Sequence, residues 1–119
     1  LTFVFRSRRL TADGIFATVA SYLLIAFVFA QVYLIVLAWA PDSFNLPVPL
    51  DQRTPQGLQS DMVYYSLITM ASVGYGDILP ASDLARMIAV IEAVIGQFYM
   101  AVIVAVFVGM YASQGRRSD

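Results

Sequence analysis

The chain has 119 residues, 60% hydrophobic and 13% charged, with a net charge of −1 and neither cysteine nor histidine. A soluble domain is usually about 45–50% apolar and about 25% charged, so this is a single domain with more apolar surface than a water-soluble core of its size can hide. Disulfides, Cys/His metal sites and histidine acid–base chemistry are excluded, and the basic residues, all arginine, form no patch large enough for nucleic acid.

Residues 1–13 join Leu1, Phe3, Val4 and Phe5 to Arg6, Arg8 and Arg9. That composition suits an interfacial helix or cytoplasmic anchor, or else the end of an upstream membrane element. From Gly14 to Pro41 there are 28 residues without a charge. At about 1.5 Å per residue the run exceeds a hydrocarbon core of roughly 30 Å, which predicts a tilted transmembrane helix over residues 14–40. The run is too long for a signal peptide, and Pro41-Asp42 is no cleavage site. Prolines 41, 47, 49 and 55 then make residues 41–59 an irregular loop.

Residues 60–71 read as a short helix, with Ser60-Asp61 as a cap and Met62, Val63, Tyr64, Tyr65, Leu67, Ile68 and Met70 as its apolar surface. A helix of this length is about 18 Å long, too short to span. Ser-Val-Gly-Tyr-Gly-Asp follows at residues 72–77. Gly74 and Gly76 can take positive φ at little steric cost, so the segment can turn successive carbonyl oxygens to one side. Such a row of oxygens could replace the water around a bare cation. Extended backbone at this depth is tolerable only where it lines a water-filled path. A second span, residues 82–112, opens after Pro80 with Ser82 or Asp83 as N-cap, and carries Glu92 as the one charge between Met87 and Tyr111.

Arg6, Arg8 and Arg9 precede the first span and Arg116 and Arg117 follow the second, whereas aspartates dominate the stretch between. The positive-inside rule then puts both termini in the cytoplasm and residues 72–77 at the outer face.

The order of outer helix, turret, short helix, glycine-containing segment and inner helix resembles the pore module of tetrameric potassium channels. Residues 92–108 look especially like bacterial two-transmembrane-helix channel domains. The resemblance implies an all-α membrane protein that assembles as a homotetramer in a prokaryotic plasma membrane and conducts K⁺ passively. Its filter would be Ser72, Val73, Gly74, Tyr75 and Gly76, with K⁺ held at Ser72, Val73, Gly74 and Tyr75. Tyr64 would approach Asp77, Tyr65 the hydroxyl of Tyr75, and Thr69 falls on a pore-helix threonine position. Gly96 matches a gating hinge, though a glycine there can equally serve close packing. Met100, Val104 and Val108 at helical spacing would line the cavity.

Glu92 is costly in a membrane unless it finds partners, which makes it a further candidate for filter support. Tyr65, Ser66, Thr69 and Gln31 are its expected donors, and Arg86 is expected to pair with Asp83. The sequence departs from the family pattern at Ser72, where threonine is usual, at Ala71, and at Ile68, where some channels carry a glutamate. No nucleophile–base pair suggests an enzyme. The expected partners are K⁺, lipid, sister copies and regulatory segments outside this chain, without cofactor or nucleic acid. A non-selective cation channel and a non-conducting scaffold are the alternatives.

Overall fold

The structure is a computed structural model that describes residues 12–116. It is a three-helix hairpin, α1 (Ala12–Trp39), α2 (Pro55–Met70) and α3 (Asp83–Gly115), with two-residue strands β1 (Phe44–Asn45) and β2 (Leu79–Pro80). The two long helices have 28 and 33 residues and are apolar enough to cross a membrane. The interfacial segment expected over residues 1–13 lies outside the described residues except for Ala12 and Asp13, which open α1.

Each boundary has a local cause. Pro41 disfavours helical backbone in the residue before it, and Ala40 is extended with φ −139° and ψ 90°, so α1 stops at Trp39. The second helix begins earlier than Ser60. Thr54 Oγ1 accepts from the Gly57 amide at 3.0 Å and Pro55 takes the first helical turn, the arrangement in which proline's missing N–H costs nothing. The helix therefore has 16 residues, and the turret shortens to the residues between Trp39 and Thr54. At α3, Ser82 is the N-cap and its Oγ accepts from the Ala85 amide at 3.1 Å.

The turret is less irregular than its prolines suggest. Two 3₁₀ turns, Pro41–Ser43 and Leu50–Gln52, flank β1, which pairs antiparallel with β2 through Phe44↔Pro80 and Asn45↔Leu79. The Ser43 carbonyl accepts from Ala81 at 2.7 Å and Ser82 at 3.2 Å. The end of α1 is thus tied to the start of α3, and α2 is held between them.

The core occupies that end of the molecule. It contains Ala30, Tyr33, Val36 and Leu37 of α1, Phe44 of β1, Met62 and Tyr65 of α2, Ile78, and Ala85 and Ala89 of α3. Ala26 and Ala30 on one long helix, and Ala85 and Ala89 on the other, repeat at helical spacing. Small side chains let helices approach where no water drives them together.

Candidate functional site

The site forms where the C-terminal end of α2 runs into residues 72–77 beside the middle of α3. The last turn of α2 closes in a Schellman motif. Val73 donates its amide to the Ile68 carbonyl at 2.8 Å and Ser72 donates to the Thr69 carbonyl at 3.1 Å. This is the pair of bonds that satisfies helix-end carbonyls when the next residue is left-handed. Here that residue is Ser72, with φ 58°, followed by Gly74 at 55° and Gly76 at 84°. Val73 and Tyr75 between them keep negative φ. The sign of φ therefore alternates along the segment.

One side of the segment is fastened by Asp77, whose Oδ2 accepts from the Tyr64 hydroxyl at 2.9 Å. Loss of surrounding water, and then this bond to the carboxylate, hold the Tyr64 phenol protonated to above its ordinary range. The Tyr64–Asp77 contact expected from the resemblance is present. The partner expected for Tyr65 is not. Its ring packs in the core, edge-on to Tyr33 at 5.1 Å and to Phe44 at 5.2 Å, and its hydroxyl hydrogen-bonds the Thr69 side chain. Thr69 also points its hydroxyl locally, donating to the Tyr65 carbonyl at 2.7 Å.

Behind α2 lies a polar junction of three helices. Glu92 of α3 is wholly buried. Tyr33 of α1 donates to its Oε2 at 2.5 Å, and Ser66 of α2 hydrogen-bonds its Oε1. Ser66 Oγ also lies 2.6 Å from the Ala26 carbonyl. Of the donors expected for Glu92 only Ser66 serves; Tyr65 and Thr69 are engaged elsewhere, and Gln31 leaves its amide nitrogen buried without a hydrogen bond. Tyr33 was missed. A tyrosine in mid-span was the available signal, since its hydroxyl needs a partner when the ring is buried.

On its near side α3 meets the segment directly. A Cβ placed on Gly96 would overlap the Met70 carbonyl oxygen and lie 2.7 Å from Met70 Cγ, so this glycine is a close-packing position. Gln97 Nε2 donates to Ser72 Oγ at 2.5 Å, a contact the sequence did not suggest. Met100, Val104 and Val108 lie further down α3 and are exposed in the single chain. Arg86 is not paired with Asp83; its Nε donates to the Pro80 carbonyl at 3.4 Å. The ion pair of this region joins Arg53 to Asp61 at 2.9 Å across the first turns of α2.

Beside the segment is a hollow of about 270 Å³ lined by Tyr65, Thr69, Ser72, Gly74, Gly76 and Ala93 among others. Tyr75 projects into solvent, 73% exposed. Chemically the site offers backbone and hydroxyl oxygens on a chain whose handedness alternates, with no nucleophile and base placed together.

A family model described as ion channel matches residues 17–113, which includes all of these contacts. Protein LctB of Bacillus caldotenax is 34% identical over 98 residues, covering 82% of this chain and 72% of that protein. Protein LctB of Geobacillus stearothermophilus is 33% identical over the same shares. The two pore potassium channel b of Oryza sativa subsp. japonica is 49% identical over 37 residues, 31% of this chain and 10% of the rice protein.

Proposed function

The chain belongs to the ion channel family, and from that premise we propose that it forms a potassium-selective pore in which residues 72–76 are the filter. The observation that carries the reading is the alternation of φ at Ser72, Val73, Gly74, Tyr75 and Gly76. Alternating handedness cancels the turn each residue would impose, so successive carbonyls can face one side and take the place of a cation's water. The similarity to a rice protein named as a potassium channel supports the same ion.

One such row of oxygens touches a cation from one side only. A closed ring needs several copies, and four is the number the family resemblance implies. The exposed Tyr75 and the hollow beside the filter are surfaces that neighbouring copies would cover. Tyr64, Asp77 and Glu92 support the filter from above and behind, with Tyr65 and Thr69 as packing and capping residues of α2. Gly96 sets the distance between α3 and α2, and Met100, Val104 and Val108 line the cavity below. The arginine distribution supports a filter that faces outward with both termini in the cytoplasm. The ion sheds water, moves between carbonyl sites, and leaves under repulsion from the next ion.

The test is reversal potential in liposomes reconstituted with the purified chain under K⁺/Na⁺ gradients. A potential that follows K⁺ is expected. Equal permeability would favour a non-selective cation pore, for which Ser72 in place of threonine is the supporting feature, and absence of flux from assembled protein would favour a scaffold.

A further inference from the structure

Gln97 has no part in the filter's support as described so far, yet it is the residue of α3 bonded to the filter's first side chain. The left-handed position after a helix end is usually glycine, because a Cβ there crowds the neighbouring carbonyl. Ser72 fills it with φ 58°. Serine fits, but it gives up something. A β-branched side chain is stiff at χ1, whereas the serine hydroxyl can rotate among staggered positions.

The structure supplies what serine lacks. Gly96 brings α3 into contact with Met70, two residues before Ser72, and the adjacent Gln97 reaches the Ser72 hydroxyl at 2.5 Å. Consecutive residues of α3 thus hold the chain on both sides of Ala71, one by packing and one by a hydrogen bond. A hydroxyl oxygen has two lone pairs and one proton. With one lone pair committed to the Gln97 amide, the other is left with a fixed direction.

We propose that Gln97 is a positioning residue for ion selection, locking the Ser72 hydroxyl as an oxygen ligand of fixed geometry at the inner end of the filter. This rests on the potassium reading given above. A freely rotating hydroxyl adapts to cations of different radius, while a locked one suits a single distance. Gln97 thereby does by hydrogen bonding what a threonine methyl would do by steric restriction.

The test compares K⁺/Na⁺ permeability ratios from reversal potentials of the reconstituted chain, its Gln97→Leu and Ser72→Ala variants, and the double variant. Gln97→Leu is expected to lower the ratio about tenfold while K⁺ flux persists, the scale of one lost neutral hydrogen bond. Ser72→Ala should lower it similarly, and the double variant should be no worse than Ser72→Ala alone. Gln97→Asn, which keeps the amide but falls short of the hydroxyl, reads the same quantity if the leucine variant does not assemble. A parent-like ratio in either assembled Gln97 variant overturns the proposal, as does a double variant whose loss is the product of the single losses. A parent chain that does not discriminate K⁺ from Na⁺ defeats the potassium reading and this proposal together, whereas a selective parent with an unaffected Gln97 variant defeats this proposal alone.

Discussion

The two ends of the molecule are built to different standards. At the end that holds residues 72–76, the proposed filter, three helices and a strand pair enclose Tyr33, Met62, Ser66, Met70 and Glu92 with no accessible surface. At the far end α1 and α3 run on as bare apolar helices, with Phe16 72% and Val108 61% exposed. Polar groups at the filter end are cross-linked between helices, while along the far end they bond mostly within their own helix, as Thr18 does to the Gly14 carbonyl at 2.8 Å. A single chain therefore completes the packing around residues 72–77, whereas its long helices keep exposed apolar faces. The difference teaches where a substitution will be felt. Changes around α2 should act on the fold and on residues 72–77 together, and changes lower down on helix association alone.

Gly96→Ala is expected to have the largest effect. The new methyl would meet the Met70 backbone, 3.0 Å from its carbonyl carbon, and a backbone at the end of a capped helix cannot step aside cheaply. Overpacking of this kind costs about 1–3 kcal/mol. Thermal unfolding of the purified variant in detergent should show the loss. An unchanged midpoint with altered channel opening would mean that Gly96 serves as a hinge and that the filter end is looser than its packing indicates.

Glu92 sharpens the same comparison from the polar side. Ser66 has one hydroxyl proton and stands between two acceptors, the Ala26 carbonyl and Glu92 Oε1, while Tyr33 donates to Oε2. An amide at position 92 matches this pattern, since its nitrogen can donate to Ser66 and its oxygen can accept from Tyr33. Glu92→Gln is therefore expected to stay within about 1 kcal/mol of the parent. Glu92→Leu leaves the buried Tyr33 hydroxyl without a partner, at about 1–3 kcal/mol, while Ser66 keeps the Ala26 carbonyl. Unfolding midpoints of the two variants separate the cases. If glutamine is as damaging as leucine, the junction needs a carboxyl group and not merely its hydrogen-bond pattern.

Much of this architecture was legible because its signals are one-dimensional. The length of the uncharged runs marks α1 and α3, and the glycines at 74 and 76 mark the positive φ found there. The start of α2 was misplaced because Ser60-Asp61 looks like a cap, while Thr54-Pro55 with Gly57 is one. Both are local patterns, and only the chain's path chooses between them. The partners of Glu92, the direction of Tyr65 and the reach of Gln97 were not legible for a different reason. Each depends on how three helices rotate about their axes, and Phe44 and Ala26, which settle that rotation, carry no chemical mark in the sequence. Arg86 shows the same limit, since its proximity to Asp83 in the chain says nothing about the Pro80 carbonyl it meets.

The smallest effect is expected at the far end, where one contact between α1 and α3 is specific. Tyr99 donates to the Thr18 carbonyl at 2.7 Å and its ring lies 5.5 Å from that of Tyr22. The Thr18 carbonyl sits within α1, so it retains a helical partner when the phenol is removed, and no group is left wholly unsatisfied. Tyr99→Phe keeps the ring contact and deletes only the bridge. Hydrogen bonds between membrane helices average about 0.6 kcal/mol, and a loss of that size is expected in the unfolding midpoint, with ion selectivity unchanged because Ser72 and Gln97 lie outside this contact. A loss as large as that of Glu92→Leu would show that the far end is held by specific bonds after all, and the contrast between the two ends would fail.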